Sequence, residues 1–334
     1  MATPIVPSKS WAEWKQVLHG LWVSPPSFTE KDYPSLEGKV VVVTGGNTGI
    51  GYQTVKSLAG STKARVYIFS RNREKTLKAI EDIKLEIAKE YNVVDREIGF
   101  VQVDFNDLTT VKPAVEEFLK LETRLDILIL NAGVMNTPLT SAYRTKQGYE
   151  MQLGVNVLGD HLLTALLDPV IIETSKTNPP GLSRIVWVSS SAHYMAPKGG
   201  IFWEDYNFEK QPDTKSNRMI AYAQSKAGNI LQAKTWPRKH DAPNVISSSI
   251  CPGYLMTELQ RYSSPVELFI TKWITYPCRN GAYTELYAAL SPDVKSGDHS
   301  ISFGQPGIVR GDLNDEANAD KVWDWLNEQI EPYL

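Results

Sequence analysis

An α/β domain with a doubly wound parallel sheet is the fold class this sequence predicts, and three observations predict it. From Lys39 onward, short continuous apolar runs alternate with amphipathic helical stretches. The first run ends in a glycine-rich turn, and no repeat, low-complexity tract or linker interrupts the chain after residue 38. Apolar strands separated by helices imply a parallel sheet covered on both faces. At ~100–200 residues per domain, 334 residues would allow two or three domains. The unbroken alternation instead predicts one domain over 38–334, with about seven strands, behind a helix and strap over 1–37.

The N-terminal segment opens on Ser10-Trp11-Ala12-Glu13, a capping box whose hydroxyl and carboxylate satisfy free N–H groups at a helix start. Trp11, Trp14, Val17, Leu18, Leu21 and Trp22 fall near one helical face. That face is expected to cover an apolar patch of the main domain. A Trp-rich face beside Lys9 and Lys15 also suits a membrane surface, so peripheral contact through residues 11–22 is a second expectation. Val23-Ser24-Pro25-Pro26-Ser27 ends the helix, and the stretch to Gly38 reads as an extended strap. Residues 1–10 lack the basic start and apolar centre of a secretory leader, and no segment approaches the ~18 apolar residues of a spanning helix.

Six strands are legible in the main body: 40–43, 65–69, 98–103, 126–130, 184–188 and 245–250. Between the second and third, Leu77, Ile80, Ile83 and Ile87 mark a long amphipathic helix. Two aromatic-rich stretches, near 192–220 and 254–280, read as additions to the alternating pattern. Composition narrows the function classes. A chain 42% hydrophobic and 22% charged can bury a large core, which excludes wholesale disorder. Its 35 basic and 38 acidic residues leave a net charge of -3, without the basic surface that nucleic acid requires. Cys251 and Cys278 are too few for a disulfide framework or a zinc cluster, so no metal and a reducing, cytoplasmic setting are expected.

The first strand runs into Thr44-Gly45-Gly46-Asn47-Thr48-Gly49-Ile50-Gly51, then a helix from about Tyr52. Glycines there let backbone approach a pyrophosphate, while the helix start offers free N–H groups and the positive end of its dipole. The spacing is T-G-x-x-x-G-x-G rather than G-x-G-x-x-G. This resembles the short-chain dehydrogenase/reductase superfamily in its compact, Rossmann-type form. The second strand ends in Ser70-Arg71-Asn72, with no carboxylate to hold a ribose 2′-hydroxyl. A guanidinium suits a 2′-phosphate instead, so NADP(H) is the expected cofactor.

Tyr222-Ala223-Gln224-Ser225-Lys226 places a phenol and an ammonium on one helical face. A free tyrosine titrates near ~10, too high for proton exchange at neutrality. The ammonium, together with the positive ring of an oxidised nicotinamide, should favour phenolate and fit Tyr222 for general acid/base work. After the fifth strand, any of Ser189, Ser190 and Ser191 could polarise a substrate oxygen. The resemblance implies the second, Ser190. It also implies that Asn131, in Leu130-Asn131-Ala132-Gly133, steadies the sheet beside the cofactor, with Ala132 and Gly133. Asn156, in Gly154-Val155-Asn156, would join Lys226 to solvent through a water on its backbone carbonyl. Asp104 and Phe105 would border the adenine. Pro252, Gly253 and Thr257 would close over the nicotinamide. Cys251 reads as a small buried residue and His193 as structural.

The stretch Ser189-Ser190-Ser191-Ala192-His193 is similar to retinol-dehydrogenase-like members, and the N-terminal strap to fungal carbonyl reductase-like relatives. The additions carry Tyr194, Phe202, Trp203, Tyr206 and Phe208, then Tyr254, Tyr262, Phe269, Trp273 and Tyr276. Segments after strand C-termini build the pocket in open α/β sheets, so a bulky apolar aldehyde, ketone or matching alcohol is the expected substrate. Relatives commonly dimerise through helices packed on the sheet, which makes a homodimer a further expectation. A non-catalytic, dinucleotide-sensing binding protein is the competing reading. Such sensors lose the Tyr or the Lys, and both stand here.

Overall fold

The computed structural model describes residues 3–255 and 275–334. Its centre is one sheet with strand order β3-β2-β1-β4-β5-β6-β7-β8. The strands are β1 (Val40–Thr44), β2 (Arg65–Ser70), β3 (Ile98–Gln102), β4 (Ile127–Leu130), β5 (Ser183–Val188), β6 (Val245–Ile250), β7 (His299–Ile301) and β8 (Gln305–Pro306). All pairings are parallel except β7 with β8. Eight strands therefore replace the seven expected, and the eighth turns back along the sheet edge. The order reverses between β1 and β4, and the crevice there, beyond the strand C-termini, is where such sheets take their ligands.

Alternation along each strand divides the core. Val40 and Val42 face one side with α4 (Val111–Leu121), α5 (Met151–Ser175), α6 (Lys215–Lys239) and α8 (Glu316–Ile330). Val41 and Val43 face the other with α2 (Gly49–Ser61), α3 (Arg73–Tyr91) and α7 (Cys278–Leu290). Helices on both faces leave the central strands β1 and β4 buried throughout, hence their near-continuous apolar composition. Contrary to the expectation, Met151–Ser175 is long and apolar enough to cross a membrane by length and composition, yet 72% of its apolar window is buried inside the fold. Within α5 the backbone adopts a π-helical turn over Gly154–Gly159. Such turns break the regular hydrogen-bond ladder and occur often at functional sites.

The N-terminal helix α1 (Trp11–His19) forms with the expected capping box: Ser10 Oγ accepts from the Glu13 N–H, and the Glu13 carboxylate from the Ser10 N–H at 2.6 Å. Its orientation departs from the expectation. Trp11 is 81% exposed and Trp22 77%, while Glu13 is buried. The helix is held by polar bonds rather than by its apolar face. Glu13 Oε1 accepts from the Gly311 N–H at 2.8 Å. Gln16 donates to Tyr194 Oη and to the Ile308 carbonyl, both at 2.7 Å, and accepts from the Ile308 N–H.

Candidate active site

The glycine turn is built for close approach. Gly45 has φ +64, and a Cβ on Gly51 would lie 2.7 Å from the Gly45 carbonyl oxygen and 2.5 Å from Asn131 Nδ2. No larger residue fits either place without moving backbone. Thr48 stands at the N-cap of α2 but its side chain makes no cap bond, so the first-turn N–H groups stay open to the cavity in front of them. That cavity measures about 280 Å³ and is walled by Gly45, Asn47, Thr48, Gly49 and Ile50 at one end. Asp104, Phe105, Asn131, Ala132 and Gly133 line it further along, beside Arg71. Open N–H groups at a helix start, in a cradle that a Cβ would fill, fit a dinucleotide pyrophosphate. Asn131 Nδ2 donates to the Thr44 carbonyl at 2.9 Å, and the Ala132 N–H to Thr44 Oγ1 at 2.8 Å, tying β4 to the turn.

Arg71 is exposed, and among the described residues its guanidinium has no hydrogen-bond or ion-pair partner. Lys75, one turn into α3, lines the same end, a second cation that the sequence reading passed over. Asn72 caps α3 by accepting from the Lys75 N–H at 2.9 Å, which fixes where that turn of helix begins.

The second cavity, about 500 Å³, meets the first at Ile50, Asn131, Gly133 and Val134. Ser190, Tyr222 and Lys226 stand in its wall. The three serines, equivalent by chemistry alone, separate here. Ser189 Oγ donates to the Lys226 carbonyl at 2.7 Å, and Ser191 hydrogen-bonds the Cys251 thiol. Ser190 is hydrogen-bonded to the Tyr222 phenol and accepts from the Ala192 N–H at 3.2 Å. Lys226 Nζ donates to the Val188 carbonyl at 2.8 Å and lies 5.8 Å from the centre of the Tyr222 ring.

The expected lowering of the Tyr222 pKa by Lys226 is not found in the protein by itself. Burial dominates and pushes the phenol up, opposed by the Ser190 hydrogen bond. The same burial lowers Lys226 to about 8, against the attraction of Asp160. Both are desolvation effects, which disfavour whichever form carries charge. Burial likewise raises the Cys251 thiol, unlike an activated nucleophile, and lowers His193 to about 4.

Asn156 lies in the π turn, fully buried. Its Oδ1 accepts from the Val134 N–H at 2.8 Å, and its Nδ2 donates to the Val134 carbonyl and to Ser225 Oγ, both at 3.0 Å. The side chain thus stitches the end of β4 to the helix carrying Tyr222 and Lys226. Pro252 and Gly253 line the larger cavity; Thr257, Tyr262, Phe269 and Trp273 lie outside the described residues.

Only part of the aromatic expectation holds for the pocket. Tyr194 and Tyr254 line it. Phe202 and Phe208 instead form a small core with Leu139 and Ala221, Trp203 and Tyr206 stack edge-on against Trp325, and Tyr276 packs on Phe303. Met135, Met195 and Met219 also line the pocket, with no local sequence signal to mark them, and α1 supplies a wall through Trp14 and Val17.

A family model described as short chain dehydrogenase matches residues 39–203. A short-chain dehydrogenase/reductase of Phomopsis amygdali is 38% identical over 343 residues, covering 96% of this chain and 97% of that one. Another, of Armillaria gallica, is 37% identical over 312 residues, covering 92% and 95%. A solved structure from Mycobacterium Paratuberculosis superposes with TM-score 0.66 at 27% identity, covering 91% of this chain and 97% of its own. The chain therefore belongs to the short-chain dehydrogenase/reductase family. It is an oxidoreductase of a class that uses a nicotinamide dinucleotide.

Proposed function

We propose that the protein is an NADP(H)-dependent oxidoreductase acting between a bulky apolar aldehyde or ketone and the matching primary or secondary alcohol. The observation that carries this reading is the meeting of two cavities. A largely apolar one holds Ser190, Tyr222 and Lys226 in its wall and opens at Gly133 and Val134 onto the glycine-turn cavity. A bound nicotinamide supplies or receives the hydride. Tyr222 gives a proton to the carbonyl oxygen in reduction and removes one from the alcohol in oxidation. Ser190 shares a hydrogen bond with that phenol and orients the same oxygen. Asn156 holds the helix bearing Tyr222 and Lys226, and it is the positive ring of a bound oxidised nicotinamide, added to the charge of Lys226, that would favour phenolate against the burial of Tyr222. Arg71, with Lys75 beside it, supports a 2′-phosphate rather than a bare ribose hydroxyl. Both the phenol and the ammonium are present, so a purely sensing role is not favoured. A content of only two cysteines, Cys251 and Cys278, accords with a reducing, cytoplasmic setting.

A panel of aldehydes and ketones, scored by NADPH and NADH consumption in parallel, tests the reading. Bulky apolar carbonyls with NADPH are expected to turn over fastest. Tyr222→Phe should lower kcat by a factor on the order of 10²–10⁴ while leaving cofactor binding intact. Undiminished turnover in that variant removes the proposed acid/base role.

A further inference from the structure

Among the described residues, the wall of the larger cavity holds two cations and no carboxylate. Lys226 serves the reacting end, where it donates to the Val188 carbonyl. Lys9 is the other, and the chemistry above does not use it. Nor does the protein neutralise it: among the described residues its Nζ makes no ion pair or hydrogen bond, and it rests 4.8 Å from the ring centre of Trp14. The nearest acid along the chain, Glu13, is absent from that wall and is taken by the N–H groups of Ser10 and Gly311.

The sequence explains why Lys9 stands there. It immediately precedes Ser10, the N-cap of α1, and Trp14 is the fourth residue of the helix. Apolar side chains at these two places commonly pack on one another and set the angle at which a chain enters a helix. A lysine does the same with its stem while keeping its ammonium at the ring face, which attracts it. The backbone is fixed on both sides. Upstream, the Ile5 carbonyl accepts from the Lys198 N–H at 2.8 Å. Downstream, the capping box and the Glu13–Gly311 bond hold the first turn. Half-buried and anchored in this way, the ammonium loses little freedom when a ligand arrives.

Other polar side chains of the wall are already engaged. Tyr194 Oη, Asn131 Nδ2 and Ser189 Oγ each donate to a backbone carbonyl. Thr275 keeps a buried hydroxyl without a partner, but a neutral donor does not balance a charge. A largely apolar chamber with an uncompensated cation in its wall fits an apolar molecule that ends in an anion. We propose that Lys9 selects substrates carrying a carboxylate remote from the reacting carbonyl, so that the substrate is an oxo acid, or the matching hydroxy acid, with an apolar body. The proposal rests on the proposed function and narrows its substrate class. The carbonyl meets Tyr222 and Ser190, the apolar body lies along the chamber, and the carboxylate accepts from the Lys9 ammonium.

The experiment compares two aldehydic acids, each with its own methyl ester, in NADPH-dependent reduction by the full-length protein. Terephthalaldehydic acid is the short probe and ω-oxododecanoic acid the long one. For at least one pair, wild type should favour the acid in kcat/KM by roughly tenfold, with the preference lying in KM. Raising the salt concentration should shrink it. Lys9→Met keeps an apolar stem on Trp14 and removes the charge, so the acid-to-ester ratio should fall roughly tenfold. Lys9→Arg should retain most of the preference. A loss shared equally by acid and ester marks a disturbed α1, and like an unchanged ratio it overturns the proposal. So does a wild type that favours neither acid over its ester. Loss of sedimentation with anionic vesicles in Lys9→Met, with the acid-to-ester ratio kept, assigns the cation to a lipid headgroup and overturns it as well. If wild type reduces no aldehyde or ketone with either cofactor, the proposed function fails instead, and Lys9 is judged by binding alone. Quenching of tryptophan fluorescence should then show ω-oxododecanoic acid binding roughly tenfold more weakly to Lys9→Met than to wild type, and equal affinity overturns the proposal.

Discussion

Glu285 offers a test of the architecture that needs no substrate. It lies on α7 with its side chain against α2, fully buried, and Thr54 Oγ1 donates to its Oε2 at 2.6 Å. The other oxygen has no partner, and burial raises the carboxyl from 4.5 to about 8. A folded-state pKa above the unfolded one gives stability that is present in full below pH 4.5 and lost as pH rises to about 8. Across that window the loss is about 1.4 kcal/mol per pH unit. It amounts to roughly 3 kcal/mol at neutrality and roughly 5 kcal/mol once the folded-state group has ionised. Glu285→Gln keeps an acceptor for Thr54 and removes the titration. Urea unfolding of both proteins between pH 5 and 9 should therefore show the variant gaining on wild type as pH rises, and levelling off above pH 8. All other titrations are common to the two proteins and cancel in the difference. A stability difference that stays flat across this range would refute the reasoning.

Other expectations concern the site and its border. Arg71→Asp should raise KM for NADPH by at least tenfold, with a smaller change for NADH, as measured by initial rates. Gly133→Ala would set a methyl 3.2 Å from Asn156 Oδ1 and 3.6 Å from Lys226 Nζ. Asn156 is held by three hydrogen bonds and cannot give way, so a loss of about 1–3 kcal/mol in unfolding free energy is expected. A matching drop in kcat should accompany it. Trp11→Ser with Trp22→Ser should leave stability within about 0.5 kcal/mol, because both rings are exposed. If residues 11–22 contact membranes, wild type should sediment with anionic vesicles and the double variant should stay in the supernatant.

The first six strands were legible because most of them are runs of apolar, often β-branched residues, and β6, with three central serines, still carries Val245, Ile246 and Ile250 at its ends. β7 was not: it has three residues, His299, Ser300 and Ile301, and its polar side chains are accommodated by partners such as Ser249 Oγ, 2.9 Å from His299 Nδ1. The site divided in the same way. The glycine turn and the Tyr222–Lys226 pair show as local spacing. The choice among three serines depends on which hydroxyl faces Tyr222, a tertiary relation that a strand end cannot display. Periodicity placed the tryptophans of α1 on one face but could not reveal that Glu13 and Gln16 hold the helix down. That depends on backbone groups near residue 310.

The anchoring of α1 also sets an order of events during synthesis. Glu13 meets its partner Gly311 across 298 residues, and Gln16 meets Ile308 across 292. At about 5–20 residues per second, the first helix waits roughly 15–60 s for the far end of the chain to emerge. The dinucleotide cradle, lined by residues between 45 and 155, can assemble long before that, whereas the substrate chamber has an open side until translation is nearly complete. A ribosome-bound nascent chain would thus complete its dinucleotide cradle before the chamber beside it is closed, and selectivity among small molecules would be the last property the folding protein acquires.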